Sequence, residues 1–111
     1  MKDRTHSFSV EEAQKYGIEK ALLLNNLRFL LDRHQATGTH IYKHTDGKEY
    51  HWVYNSKTAF QKLFPYMNAR NISRWLLELE KDGVIFSGVF NENKYDKTKW
   101  YSMPSFSVPT D

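Results

Sequence analysis

Residues 56–83 read SKTAFQKLFPYMNARNISRWLLELEKDG, and the punctuation in that stretch decides the fold class. Asn55 and Ser56 supply short polar side chains at a helix start, where a side-chain oxygen accepts from a backbone N–H that has no partner inside the helix. A helix over 57–64 follows, with Ala59, Phe60, Leu63 and Phe64 turned inward at helical spacing. Pro65 stops it, because the proline ring excludes the helical conformation from the residue before it. Asn68 caps a second helix over 69–81. Its Ile72, Trp75, Leu76 and Leu79 form one apolar stripe, while Arg70, Asn71, Arg74, Glu78 and Lys81 mostly point away. Asp82-Gly83 closes it, glycine being the usual residue just past a helix. Two helices joined by the turn Pro65-Tyr66-Met67 predict a helix-turn-helix.

The flanks extend this unit. Downstream, residues 84–90 are strongly β-prone and 99–103 form the return strand. The polar stretch 91–98 links them as a turn, so a hairpin directly follows the second helix. Upstream, Ser9-Val10-Glu11-Glu12 reads as a capping box, with Ser9 and Glu12 bonding each other's backbone N–H, and starts a short helix ending near Tyr16-Gly17. Residues 18–33 carry Leu22, Leu23, Leu27, Leu30 and Leu31 at three- and four-residue steps, the longest helix. A loop over 35–39 contains Gly38. Residues 41–54 then predict a hairpin around a two-residue Asp46-Gly47 turn. That register sets Tyr42 opposite His51 and Ile41 opposite Trp52, with Ile41, Tyr50 and Trp52 facing the core. The expected fold is α+β, a winged helix-turn-helix with a helical core, a β-hairpin before the motif and a C-terminal β-hairpin wing. Residues 8–103 form the domain, 1–7 a flexible N-terminus, and 104–111, with two prolines, a tail or linker.

Composition limits the function classes. A chain of 111 residues builds one core. Three Trp, seven Tyr and seven Phe load that core heavily enough to need no staples. With no cysteine, neither a disulfide scaffold nor a Cys-based zinc site is available. The run Ala21-Leu22-Leu23-Leu24 is interrupted by Asn25 and Asn26, too short to cross a membrane. Met1-Lys2-Asp3-Arg4 is not followed by an apolar signal core, so a cytoplasmic setting is expected. No Gly-rich phosphate loop, Gly-x-Ser-x-Gly or His-Glu-x-x-His occurs, and no enzyme is expected. The net charge of +3 and pI near 9.1 suit a polyanion only if the basic residues share a face.

The motif gives them one. An α-helix fits the major groove with its first turns against base edges, where Asn pairs with adenine and Arg with guanine. Asn68, Arg70, Asn71 and Arg74 occupy those turns. Lys94, Lys97 and Lys99 around the wing, and Lys57 and Lys62 on the preceding helix, suit phosphates. Trp100 and Tyr101 are expected to divide, one packed beneath the wing and one half exposed. His40, His44 and His51 share a hairpin face near Glu49, but their spacing is not a standard ligand set, so no metal and no other cofactor is expected.

Tyr16-Gly17, Ala21, Trp52-Val53-Tyr54-Asn55-Ser56, Ala59, Phe64-Pro65, Ile72, Arg74, Leu76, Leu79-Glu80, Gly83, Asn91 and Asp96-Lys97-Thr98-Lys99-Trp100-Tyr101 together carry a resemblance. Over residues 8–102 the chain resembles the winged-helix domain of bacteriophage and prophage replication proteins, the replisome organisers and DnaD-like initiators. The resemblance implies binding of origin double-stranded DNA, or help in loading the helicase machinery, with replication proteins as further partners and a homodimer as one assembly. Two rivals share the fold: a phage-encoded protein-interaction domain that adapts or inhibits a host complex, and a transcriptional regulator.

Overall fold

Leucine content explains the centre of the molecule. In the computed structural model, which describes residues 4–109, the second helix buries Ala21, Leu22, Leu23, Leu24, Leu27 and Leu31. Three consecutive buried leucines require neighbours on several sides. The chain supplies them in the order α1 (Val10–Tyr16), α2 (Ile18–Thr37), β1 (Ile41–Lys43), β2 (Glu49–His51), β3 (Val53–Tyr54), α3 (Lys57–Leu63), α4 (Ala69–Lys81), β4 (Phe86–Gly88) and β5 (Trp100–Ser102). A 3-10 turn at Pro104–Phe106 follows. The fold is thus α+β, with α1, α4, β2, β3 and β5 packed against α2, and α3 packed against α4.

The caps follow the chemistry of the sequence with one change. Ser9 accepts from the Glu12 backbone N–H at 3.2 Å. The Glu12 carboxylate does not return the bond. It takes the Arg28 guanidinium at 2.6 Å and so ties α1 to α2, since a charged donor outcompetes a backbone amide. Ser56 caps α3 through the Ala59 N–H and Asn68 caps α4 through the Arg70 N–H. The second helix runs one turn beyond residue 33. Nothing breaks it before Gly38, which ends it in the left-handed region at φ 66°.

The first hairpin differs in register from the two-residue-turn expectation. Ile41 pairs with His51, Tyr42 with Tyr50 and Lys43 with Glu49. The loop is three residues, Thr45-Asp46-Gly47, with Gly47 N–H bonding His44 O and Gly47 at φ 86°. Three-residue loops of this kind place glycine last, in the left-handed region. The one-residue slip sets Tyr42 rather than Ile41 on the face of Tyr50, while Tyr50 and Trp52 are buried as expected. His51, placed outside by the shorter turn, is buried, while Ile41 is only partly covered.

After His51 the chain changes sheets. Trp52 is fully buried at the junction, and β3 pairs with β5 rather than continuing the hairpin. The second sheet has the order β3-β5-β4, all antiparallel, so α3 and α4 lie between its first two strands in sequence. An aromatic cluster of Tyr50, Trp52 and Trp100, with Tyr42, Phe86 and Phe90 against it, joins the two sheets.

Both expected ends are corrected within the described residues. Residues 5–7 do not hang free. His6 stacks near Phe64 and bonds the Tyr66 hydroxyl at 2.7 Å, and Ser7 accepts from Asn25. Residues 104–109 are not a linker. Phe106 is buried in the core, Ser107 bridges Tyr50, and the Val108 N–H donates to Glu49 O at 2.8 Å. Prolines at 104 and 109 hide periodicity without preventing an apolar side chain from docking. The remainder of these two expectations, residues 1–3 and 110–111, lies outside the described residues.

Candidate functional site

The turn between α3 and α4 is held by one side chain. Gln61 donates through Nε2 to Phe64 O at 3.1 Å and Met67 O at 2.6 Å. Phe64 and Met67 are buried on either side of Pro65, so the turn is anchored from beneath. Helix α4 then buries Ile72, Leu76 and Leu79. Trp75 is only partly covered, and the Arg74 guanidinium lies 5.8 Å from its ring. It sits at the margin of the stripe, not among the core residues where the sequence pattern puts it.

Opposite the buried stripe, Arg70, Ser73, Arg74, Leu77 and Lys81 fall within an arc of about 100°. All but the partly covered Ser73 are exposed. Ser73 and Leu77 border a groove with Lys57, Lys99 and Tyr101, and this groove meets a larger cleft of about 450 Å³ between the start of α3 and the β4–β5 loop. Asn55, Lys57, Thr58, Lys97 and Lys99 line that cleft. Residues from three separate parts of the chain therefore converge on one face.

The expected residues fall into separate groups. Arg70 and Arg74 project from the outward arc. Asn68 is partly committed, since its Oδ1 caps α4 and only its amide nitrogen is left to donate. Asn71 lies about 100° round the helix from Arg70 and borders a different groove, with Ile18, Glu19, Tyr66 and Trp75. Lys57 and Lys97 reach the cleft without a carboxylate partner among the described residues. Lys99 also reaches it but sits 3.6 Å from Glu80, so much of its charge is answered locally. Lys94 is exposed over the Tyr95 ring, and Lys62 is exposed about 140° round α3 from Lys57. These last two are not brought to the cleft. Ser73, Leu77 and Gln61 are not marked by the sequence pattern, and Asn55 is marked there only as a helix cap. A helical wheel drawn from Arg70 finds Ser73 and Leu77, but Gln61 acts through hydrogen bonds that periodicity does not encode.

Acidic residues temper this face. Glu78 is bonded by Lys20 at 2.8 Å and lies 3.9 Å from Arg74. The Lys20 bond, followed by the nearby positive charges, holds its carboxyl below the usual carboxylate range. Glu80 accepts from the Ser87 hydroxyl as well as facing Lys99.

The β4–β5 loop is built around Asn91. Its amide donates to Asp96 O and Thr98 O at 2.9 and 3.0 Å, and its Oδ1 accepts from Trp100 Nε1 at 2.8 Å. Asp96 accepts from the Thr98 N–H and the Tyr54 hydroxyl. The Asp-x-Thr-x-Trp-Tyr stretch is therefore loop scaffolding. Trp100 and Tyr101 are both buried, so the expected division between a packed and a half-exposed ring does not hold. Burial, with Glu80 adding to it, pushes the Tyr101 hydroxyl up to about 12.

The three histidines of the expected hairpin face are separated. His51 is buried with Nδ1 on Thr39 O at 3.0 Å, His40 packs edge-on to His34, and His44 stacks on Phe86. Among the described residues no three His, Asp or Glu side chains are grouped to hold a metal ion. Nor, among them, is any helix long and apolar enough to cross a membrane.

No protein-family model matches the chain, and no curated protein or solved structure is significantly similar to it.

Proposed function

We propose that the chain is a winged helix that binds double-stranded DNA, with α4 reading the major groove and the β4–β5 loop as the wing. The observation that carries this reading is that Ser73 and Leu77 of the outward arc of α4 share a groove with Lys57, which also lines the adjoining cleft with Lys97, both lysines being without a carboxylate partner among the described residues. Arg70 and Arg74 stand where a recognition helix meets bases, and the lysines stand where phosphates pass on either side. The winged form is supported by the strand order β3-β5-β4, which seats the two-helix motif between the strand before it and the hairpin after it. A role in starting replication of a phage or mobile element follows from the resemblance, as does engagement of replication proteins.

A second reading, protein docking by the same face, is favoured by Leu77. It is 55% exposed in the middle of the α4 arc, where it can meet a thymine methyl or an apolar partner. Selection from random duplexes at two salt concentrations separates the two readings. The DNA reading expects one enriched motif and an affinity that falls steeply with salt, each neutralised phosphate adding about 0.9 to the slope. No enrichment and weak, salt-insensitive association would move the docking reading to first place.

A further inference from the structure

We infer that the cleft between the start of α3 and the β4–β5 loop is a built phosphate site, with the Asn55 carboxamide as its innermost donor. The inference deepens the DNA-binding reading and rests on it for the source of the phosphate. Asn55 is 8% exposed, and its Nδ2 is buried without a hydrogen-bond acceptor. Buried donors are nearly always satisfied, so an orphan in a binding cleft points to a missing partner. The sequence offers Asn55 and Ser56 alike as helix caps, yet Ser56 alone caps α3, which leaves the Asn55 amide for another task.

The partner's chemistry follows from what surrounds it. Lys57 and Lys97 line the same cleft with no ion-pair partner among the described residues, and Thr58 lines it as well. Two carboxylates stand beside residues of the cleft wall. Asp96 is turned onto the Thr98 N–H and Tyr54 hydroxyl, and Glu80 onto Ser87 and Lys99. Donors thus approach from α3, from the chain just before it and from the loop, while Glu80 Oε2, which has no hydrogen-bond donor of its own, is answered only by the Lys99 ammonium at 3.6 Å. A tetrahedral oxyanion uses donors from several directions, and two unneutralised ammonium groups select an anion. A backbone phosphate of duplex DNA brings that group to the cleft when α4 lies in the adjacent groove. Inorganic phosphate carries the same chemistry in free form.

The test follows the Asn55 side-chain NH2 resonances of the whole chain by ¹H–¹⁵N NMR. Inorganic phosphate and a selected duplex are titrated separately, with chloride at matched ionic strength as control. Both phosphate sources should shift the Asn55 and Lys57 signals, and chloride should not. Asn55→Asp, which swaps the donor for a repelling carboxylate of the same shape, should weaken duplex binding about tenfold, against about twofold for Lys62→Ala. A duplex that shifts α4 signals while Asn55 stays still under both titrants overturns the phosphate site and leaves the DNA reading standing. Shifts of Asn55 with inorganic phosphate, but no binding of any duplex, uphold the site and overturn the DNA reading. The wild-type titrations decide the matter even if Asn55→Asp does not fold.

Discussion

Arg74 contributes little to stability, and the proposed DNA reading gives it a larger part in recognition. Its side chain is 59% exposed and its guanidinium lies 3.9 Å from Glu78, a long and solvated contact on one helix face. Pairs of that kind contribute about 0.3–0.5 kcal/mol. Arg74→Ala should therefore leave the denaturation midpoint almost unchanged. On a preferred duplex it should cost about 1–3 kcal/mol, the worth of a bidentate base contact, and much less on a scrambled one. Equal losses on both duplexes would make Arg74 a phosphate contact. Tyr101 is the reverse case, a residue committed to packing. The unfolded chain releases its phenolic proton near 10, the folded chain only at about 12. Its stabilising contribution is complete below pH 10 and is lost as pH rises from 10 to 12, because the unfolded state gives up the proton first. Denaturant midpoints across that window should fall for the parent and fall less for Tyr101→Phe. Identical pH profiles would show that the hydroxyl is not held neutral.

At the scale of elements, the β4–β5 loop shows why a polar run can be ordered. Asn91 makes three hydrogen bonds that no backbone ladder replaces, to Asp96 O, Thr98 O and the Trp100 indole. Asn91→Ala leaves the indole N–H without its acceptor, so it should cost about 1–3 kcal/mol in urea unfolding and speed amide exchange over residues 92–98. A variant with the parent's midpoint and exchange would assign the loop's order to the Asp96 turn alone. The Asp96 carboxyl is held low by the Thr98 side-chain and backbone bonds. Its contribution is present above the ordinary carboxylate range and declines as pH falls through the depressed value. Lys97 stands on this framed loop at the cleft, whereas Lys94 stands outside it. Replacing Lys97 by Ala should lower the salt slope of duplex binding by about one unit, and replacing Lys94 should lower it less. Equal slopes for the two variants would return Lys94 to the interface.

At the scale of the whole molecule, elements set by local pattern were legible and contacts distant in sequence were not. Helices α3 and α4 follow from their caps, Pro65 and a 3.6-residue stripe, and the arginines of their outward face follow with them. The register of β1 against β2 turns on whether the loop has two residues or three, and Asp46-Gly47 suits both. The pairing of Val53 with Tyr101 has no local signature, because each strand is too short to show alternation. The same reason hid the cleft, which exists only once β5 brings Lys97 and Lys99 beside Lys57. The C-terminal segment is the clearest instance. Its two prolines suggest a linker, yet Phe106 is 4% exposed within the main core and the backbone at Val108 bonds β2. Emptying a buried phenylalanine site costs about 3–5 kcal/mol, a large share of the 5–15 kcal/mol typical of a whole domain. Phe106→Ala should therefore lower unfolding stability by that amount, while Ser105→Ala, at an exposed neighbour, should stay within about 0.5 kcal/mol of the parent. A chain ended at residue 103 should be at least as unstable as Phe106→Ala, because it also gives up the Val108–Glu49 bond. Should both altered chains unfold with the parent, the segment is an appended strap and the domain ends at β5. Should they unfold early, the folding unit extends through residue 108.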